Sequence, residues 1–102
     1  MWGMIAKITC FPGKRSQLLE ILKQAAADMP GCLSYIIAES PDEDNVLWVS
    51  EAWDSQTSHD ASLSLPGVRE ALPRARPLIV EFERIAVTDP VWGIGLSAKT
   101  AS

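Results

Sequence analysis

The chain has 102 residues, enough for one domain with a single core, and 47% of them are hydrophobic, which excludes a disordered chain. A formal charge of −4 disfavours nucleic acid as a partner, because binding it needs clustered Lys and Arg to displace counterions. No apolar run approaches the roughly 18 residues of a membrane span, and Met1-Trp2-Gly3-Met4-Ile5-Ala6-Lys7 lacks the blocks of a secretory leader, so a cytoplasmic domain without membrane contact is expected.

Met4 to Phe11 alternates as a strand, and Pro12-Gly13 stops it. A helix is expected from about Lys14 to Asp28, with Leu18, Leu22, Ala25, Ala26 and Met29 at helical spacing and Pro30-Gly31 as its end. Cys32 to Glu39 and Val46 to Trp53 read as two apolar strands joined by the acidic turn Ser40 to Asn45, hence a hairpin. Asp54 or Ser55 suits the N-cap of a helix over roughly Gln56 to Leu63, which carries the only histidine, His59. Pro66 suits the first turn of another short helix, which Pro73 should end or bend. Leu78 to Val87 reads as the fourth strand, completing one domain over residues 1–88; residues 89–102 read as an irregular tail.

The order strand, helix, strand, strand, helix, strand is the split β-α-β arrangement called ferredoxin-like, an α+β fold with an antiparallel sheet. Right-handed crossovers place strands one and three at the centre, with strand four beside one and strand two beside three. Cys10 and Cys32 then lie on non-adjacent strands and are expected to be free thiols in a reducing compartment. One His and two separated Cys do not make a metal-ligand set.

Alternation divides the strands into two faces. Ala6, Ile8 and Cys10, with Val46, Trp48, Ser50 and Ala52 and with Leu78, Val80 and Phe82, carry almost no charge and are expected beneath the helices. The other set holds Lys7, Thr9 and Phe11, with Leu47, Val49, Glu51 and Trp53 and with Ile79, Glu81 and Glu83. Helices cannot cover both faces of one open sheet. A second copy is the simplest cover for Phe11, Leu47, Val49 and Trp53, with Lys7 and Glu51 neutralising each other, so a symmetric homodimer is expected.

His59 is the natural general base, because imidazole titrates near neutral pH; the competing reading is a helix-surface residue making one hydrogen bond. Ser58, His59 and Asp60 are consecutive and point in different directions, so no Ser-His-Asp triad is legible, whereas Ser62 shares a helix face with His59. Trp48 reads either as core or as a flat wall for an aromatic ligand. Arg69, Arg74, Arg76 and Arg84 read as solvated surface, with a small anion site near Arg74-Ala75-Arg76 as the lesser alternative. Gly93-Ile94-Gly95 does not follow a strand and open a helix, so no dinucleotide fingerprint exists, and no flavin, haem or P-loop motif is visible.

Pro12-Gly13, Pro30-Gly31-Cys32 and Glu51-Ala52-Trp53-Asp54-Ser55, followed by the His59 helix, resemble the antibiotic biosynthesis monooxygenase family over roughly residues 4 to 85. The resemblance implies a dimeric α/β barrel with a pocket between sheet and helices in each subunit. Some members oxidise hydroquinones or polycyclic phenols with O2 and no cofactor, others degrade haem, and many have no known activity. Members commonly carry a His nine residues past the aromatic of the Glu-x-aromatic motif; here that position is Ser62, and His59 lies one turn earlier. The Asn that haem-degrading members use falls at Ile8, which weighs against haem. What the resemblance implies for this chain is His59 as base, Ser62 orienting the substrate oxygen, and Trp48, Ile8 and Cys10 lining the floor, with no cofactor. The alternative is a non-catalytic binding or scaffold dimer of the same fold.

Overall fold

Four strands and three helices follow one another in a computed structural model that describes residues 1–96. They are β1 (Trp2–Cys10), α1 (Arg15–Ala25), β2 (Cys32–Glu39), β3 (Val46–Trp53), α2 (Gln56–Ser62), α3 (Pro66–Ala75) and β4 (Ile79–Thr88), with a 3₁₀ turn at Arg76–Leu78 before β4. All pairings are antiparallel and the sheet order is β2-β3-β1-β4, the order that right-handed crossovers require. The expectation of an irregular tail over 89–102 extends into residues outside those described.

The helical layer lies on one face only. Leu18 and Ile21 of α1 and Ala71 and Ala75 of α3 close on Met4, Ala6, Ile8, Leu47, Val49 and Trp53 to form the core. Arg15, at the start of α1, ties this layer to the hairpin: its Nη1 donates to the carbonyls of Ser40 at 3.3 Å and Glu43 at 3.0 Å, and its Nε lies 3.3 Å from the Glu39 carboxylate. Pro73 neither ends nor interrupts α3, which continues to Ala75. It sits in the last turn on the exposed side, where water can satisfy the carbonyl that its missing N–H leaves open.

The division into faces differs from the sequence expectation on β3. Ala6 stands opposite Val49 and Ile8 opposite Leu47, whereas Lys7 stands opposite Trp48. Even-numbered residues of β1 therefore share a face with odd-numbered residues of β3. Leu47, Val49 and Trp53 lie beneath the helices, at most 2% exposed, and are not available to a second copy. Trp48, Ser50 and Ala52 lie on the open face. Both alternating sets of β3 are apolar enough to be buried, so alternation alone could not fix the phase of β3 against β1. The expected Lys7–Glu51 pair is absent as a consequence. Lys7 lies 3.6 Å from Glu43 and 5.7 Å from the Trp48 ring centre.

On β4, register shifts occur between Ile5 and Ala6 and between Thr9 and Cys10, so its alternation breaks twice. Leu78 is buried as expected, but Val80 and Phe82 are 54% and 53% exposed. Strand β1 begins at Trp2, two residues earlier than its alternation suggests, because Trp2 pairs with Trp53 at the far end of β3. Cys10 and Cys32 are not bridged to each other and lie on strands separated by β3. No helix among the described residues is long and apolar enough to cross a membrane.

Candidate active site

A cavity of about 310 Å³ lies between the helices and the covered face of the sheet. Its floor comes from all four strands: Met4, Ala6 and Ile8 of β1, Tyr35 of β2, Val49, Glu51 and Trp53 of β3, and Phe82 and Arg84 of β4. Its roof comes from Leu22 and Ala25 of α1, His59 and Ser62 of α2, and Val68, Ala71, Leu72 and Ala75 of α3. The lining is mainly apolar, with a few polar groups that converge, which is the usual composition of a small-molecule site.

Helix α2 places the histidine. Ser55, extended before the helix, accepts a hydrogen bond from the Ser58 backbone N–H at 3.2 Å and caps its N-terminus. Gly31 fixes the position of that cap against the sheet. Its carbonyl accepts from the Asp54 N–H at 2.9 Å, its φ is +85°, and a Cβ there would stand 2.6 Å from Ser58 Oγ. Only glycine combines that backbone angle with so close an approach.

His59 is 6% exposed, so the surface reading does not hold. Its ring lies 4.4 Å from the Trp2 ring, tilted by 35°, and 5.5 Å from the Trp53 ring in an edge-on contact. Nδ1 lies 3.0 Å from Asp60 Oδ1. Nε2 holds no hydrogen bond among the described residues, and it is not one of their fully enclosed, unpartnered atoms. With Nδ1–H donating to Asp60, Nε2 keeps its lone pair. Asp60 thus orients the ring from the next position in sequence, a role that the consecutive spacing concealed. Ser62, 5% exposed, does share the cavity wall with His59, and its Oγ–H donates to the His59 carbonyl.

The remaining expected floor residues separate. Ile8 lines the cavity. Cys10 is buried on the same face but contributes nothing to the lining, and burial pushes its thiol up. Trp48 is on the other face of the sheet and cannot touch a ligand beside His59.

Three polar lining residues went unrecognised in the sequence. Glu51 Oε1 accepts from Trp53 Nε1 at 2.9 Å. Burial raises the Glu51 carboxyl above its ordinary range, and the Trp53 bond, His59 and Arg84 offset part of that rise. Tyr35 stands opposite Glu51 in the β2–β3 register, and burial, with the Glu51 charge, holds its phenol well above the usual range. Arg84 lies 6.0 Å from the Trp2 ring centre. The signal for Glu51 and Tyr35 was their register, which sequence alternation could not supply. Arg74, by contrast, pairs with Glu70 at 3.4 Å and donates to Gln24 at 3.4 Å, and forms no part of the cavity. No group of three or more His, Cys, Asp or Glu among the described residues could hold a metal ion.

Residues 1–74 match the family model described as antibiotic biosynthesis monooxygenase. Among solved structures, a protein from Chloroflexus aurantiacus J-10-fl provisionally named for that family is 45% identical, with 90% of this chain and 94% of that chain covered and a TM-score of 0.83. Similarly named proteins from Nitrosomonas europaea (14% identity, 90% and 100% covered, TM-score 0.81) and Caulobacter crescentus CB15 (22% identity, 89% and 90% covered, TM-score 0.77) share the fold. No curated protein matches the chain.

Proposed function

The chain belongs to the antibiotic biosynthesis monooxygenase family, and from that premise we propose that it oxidises an electron-rich aromatic, a hydroquinone or a polycyclic phenol, with O2 and no added cofactor. The observation that carries the reading is the free Nε2 of a buried, Asp60-oriented His59 on the wall of an otherwise apolar cavity. Oxygen chemistry ordinarily needs a cofactor to supply electrons, but a deprotonated phenol supplies its own. His59 Nε2 takes the hydroxyl proton, and the phenolate passes one electron to O2. Aryloxyl radical and superoxide then join through a C–O bond at the activated ring carbon. The peroxide anion so formed takes the proton back from His59. It then loses water with the ring C–H hydrogen, so that ring C–H becomes a quinone C=O while the second oxygen atom leaves as water. The substrate gives up four electrons and O2 accepts four. Met4, Ala6, Ile8 and Val49 keep the site dry, and Ser62 orients the reacting oxygen by turning its O–H from the His59 carbonyl to that oxygen.

The working unit in this reading is a homodimer in which a second copy covers the open sheet face. That face carries Ile5, Lys7, Ile36, Trp48 and Glu83, as the strand registers place them. Ile36 is 57% exposed, and leaving such side chains in water forfeits roughly 1.5–3 kcal/mol each. Lys7 and Glu83 on the same face give a two-fold partner opposite charges to meet. The decisive experiment supplies hydroquinones and polycyclic phenols in air and follows oxygen uptake against the spontaneous rate. Isotopically heavy oxygen gas should leave one labelled atom in the product. Binding without consumption above the spontaneous rate would assign the fold a non-catalytic binding role instead.

A further inference from the structure

Two polar atoms on the cavity floor, the Tyr35 hydroxyl and Glu51 Oε2, make no hydrogen bond among the described residues and match each other's chemistry. Tyr35 and Glu51 are directly opposed across β2 and β3, on the face that lines the cavity. Directly opposed residues of antiparallel strands have Cβ atoms about 4.5–5.5 Å apart, so both side chains reach one small group above them. Glu51 Oε1 is engaged by Trp53, which fixes the carboxylate and leaves Oε2 without a hydrogen bond among the described residues. The Tyr35 hydroxyl likewise makes none; neither atom is fully enclosed, and both residues line the cavity. An ionised carboxylate only accepts, and a phenol kept protonated donates. A hydroxyl, taking the place of a water, satisfies both together by giving its proton to Glu51 and accepting one from Tyr35.

We infer that Tyr35 and Glu51 form a hydroxyl-binding subsite, and that the cavity selects aromatic substrates carrying a second hydroxyl besides the one that His59 deprotonates. Trp53 connects the two stations: its Nε1 holds Glu51, and its ring meets the edge-on imidazole of His59. One hydroxyl lies at the helix side of the aromatic skeleton and the other at the sheet side. This deepens the proposed function by narrowing its substrate class, and it rests on that reading for the identity of the first station.

The test measures binding in the absence of oxygen, so that it does not depend on turnover. Quenching of tryptophan fluorescence reports the affinities of dihydroxynaphthalene, hydroxynaphthalene and naphthalene under argon. The parent protein should prefer the diol over the mono-ol by about tenfold or more, the usual worth of a hydrogen bond to a buried charged group. Tyr35→Phe removes the donor, and Glu51→Gln replaces the free acceptor with a donor while keeping an oxygen for Trp53. Each should bring the preference near unity with mono-ol affinity retained. His59→Ala should keep a diol preference over naphthalene. Equal binding of diol and mono-ol by the parent, binding of neither, or a preference that survives Tyr35→Phe would overturn the subsite. A preference that depends on both residues, in a protein that consumes no oxygen with the diol, would leave the subsite standing and remove the oxidation.

Discussion

The imidazole of His59 lies against the indole of Trp2, ring centres 4.4 Å apart, although the two residues are 57 positions apart in the chain. The contact exists because β1 runs antiparallel to β3 and brings Trp2 opposite Trp53, immediately before the turn into α2. The histidine is therefore part of the core packing as well as of the proposed chemistry.

Replacing it should show both roles. His59→Ala is expected to lower kcat by roughly 10²–10⁴-fold, the range for loss of a general base. It should also destabilise the fold by about 1–3 kcal/mol, because it empties a site packed between two aromatic rings. Urea denaturation separates the effects: activity measured well below the unfolding midpoint reports only the chemistry. Full activity in His59→Ala would remove the residue from the base role.

Glu51 makes stability depend on pH in an identifiable direction. Its folded-state pKa lies above the ordinary value of 4.5. In the window just above that value the folded protein binds more protons than the unfolded chain, so the contribution is full below pH 4.5 and is lost as pH rises through the raised pKa. The stability of the parent relative to Glu51→Gln should accordingly fall over the range from pH 4.5 upward, the sense expected for a buried carboxyl. Thermal melts of both proteins across that range check the slope, and a parent-to-variant difference that rises with pH would contradict it.

The two cysteines should differ in reactivity. Cys10 is buried with a raised thiol pKa, whereas Cys32 is partly exposed. A thiol reagent should label Cys32 in the native protein and reach Cys10 only after denaturation, since the thiolate is the reacting form. A disulfide between them is geometrically barred. Cys32 pairs with Trp53, which pairs with Trp2, so Cys10 lies eight residues along β1 at about 3.3 Å each.

Gly31→Ala should be disproportionately harmful for so small a change. The left-handed backbone costs an added Cβ roughly 1–2 kcal/mol, and the 2.6 Å approach to Ser58 Oγ adds steric strain at the α2 cap. Loss of stability by denaturant titration is expected, with a further loss of any His59-dependent activity, because the cap sets where α2 begins. An unchanged midpoint would show that the Gly31–Ser58 contact does not position the helix.

Ile36→Glu tests the second copy. Sedimentation of the parent at low micromolar concentration should give about twice the 11.1 kDa chain mass, and the variant should sediment as a folded monomer. A folded parent monomer under those conditions would leave the open face without its proposed cover.

The amino-acid sequence alone determined the element order, the strand order and the pairing of Ser62 with His59. Periodicity, the Pro-Gly stops and the handedness of crossovers are local or topological rules that need no coordinates. It did not determine which side of β3 faces inward, since Leu47, Val49 and Trp53 alternate with a set that is nearly as apolar. That single phase placed Trp48 on the wrong wall, took Glu51 out of the cavity and moved the open face from Leu47 to Ile36. Only the tertiary structure decided it. A one-residue shift in pairing exchanges every side chain between faces, and what selects one register is the sum of packing across β1, β3 and the helices, a quantity that no single strand contains.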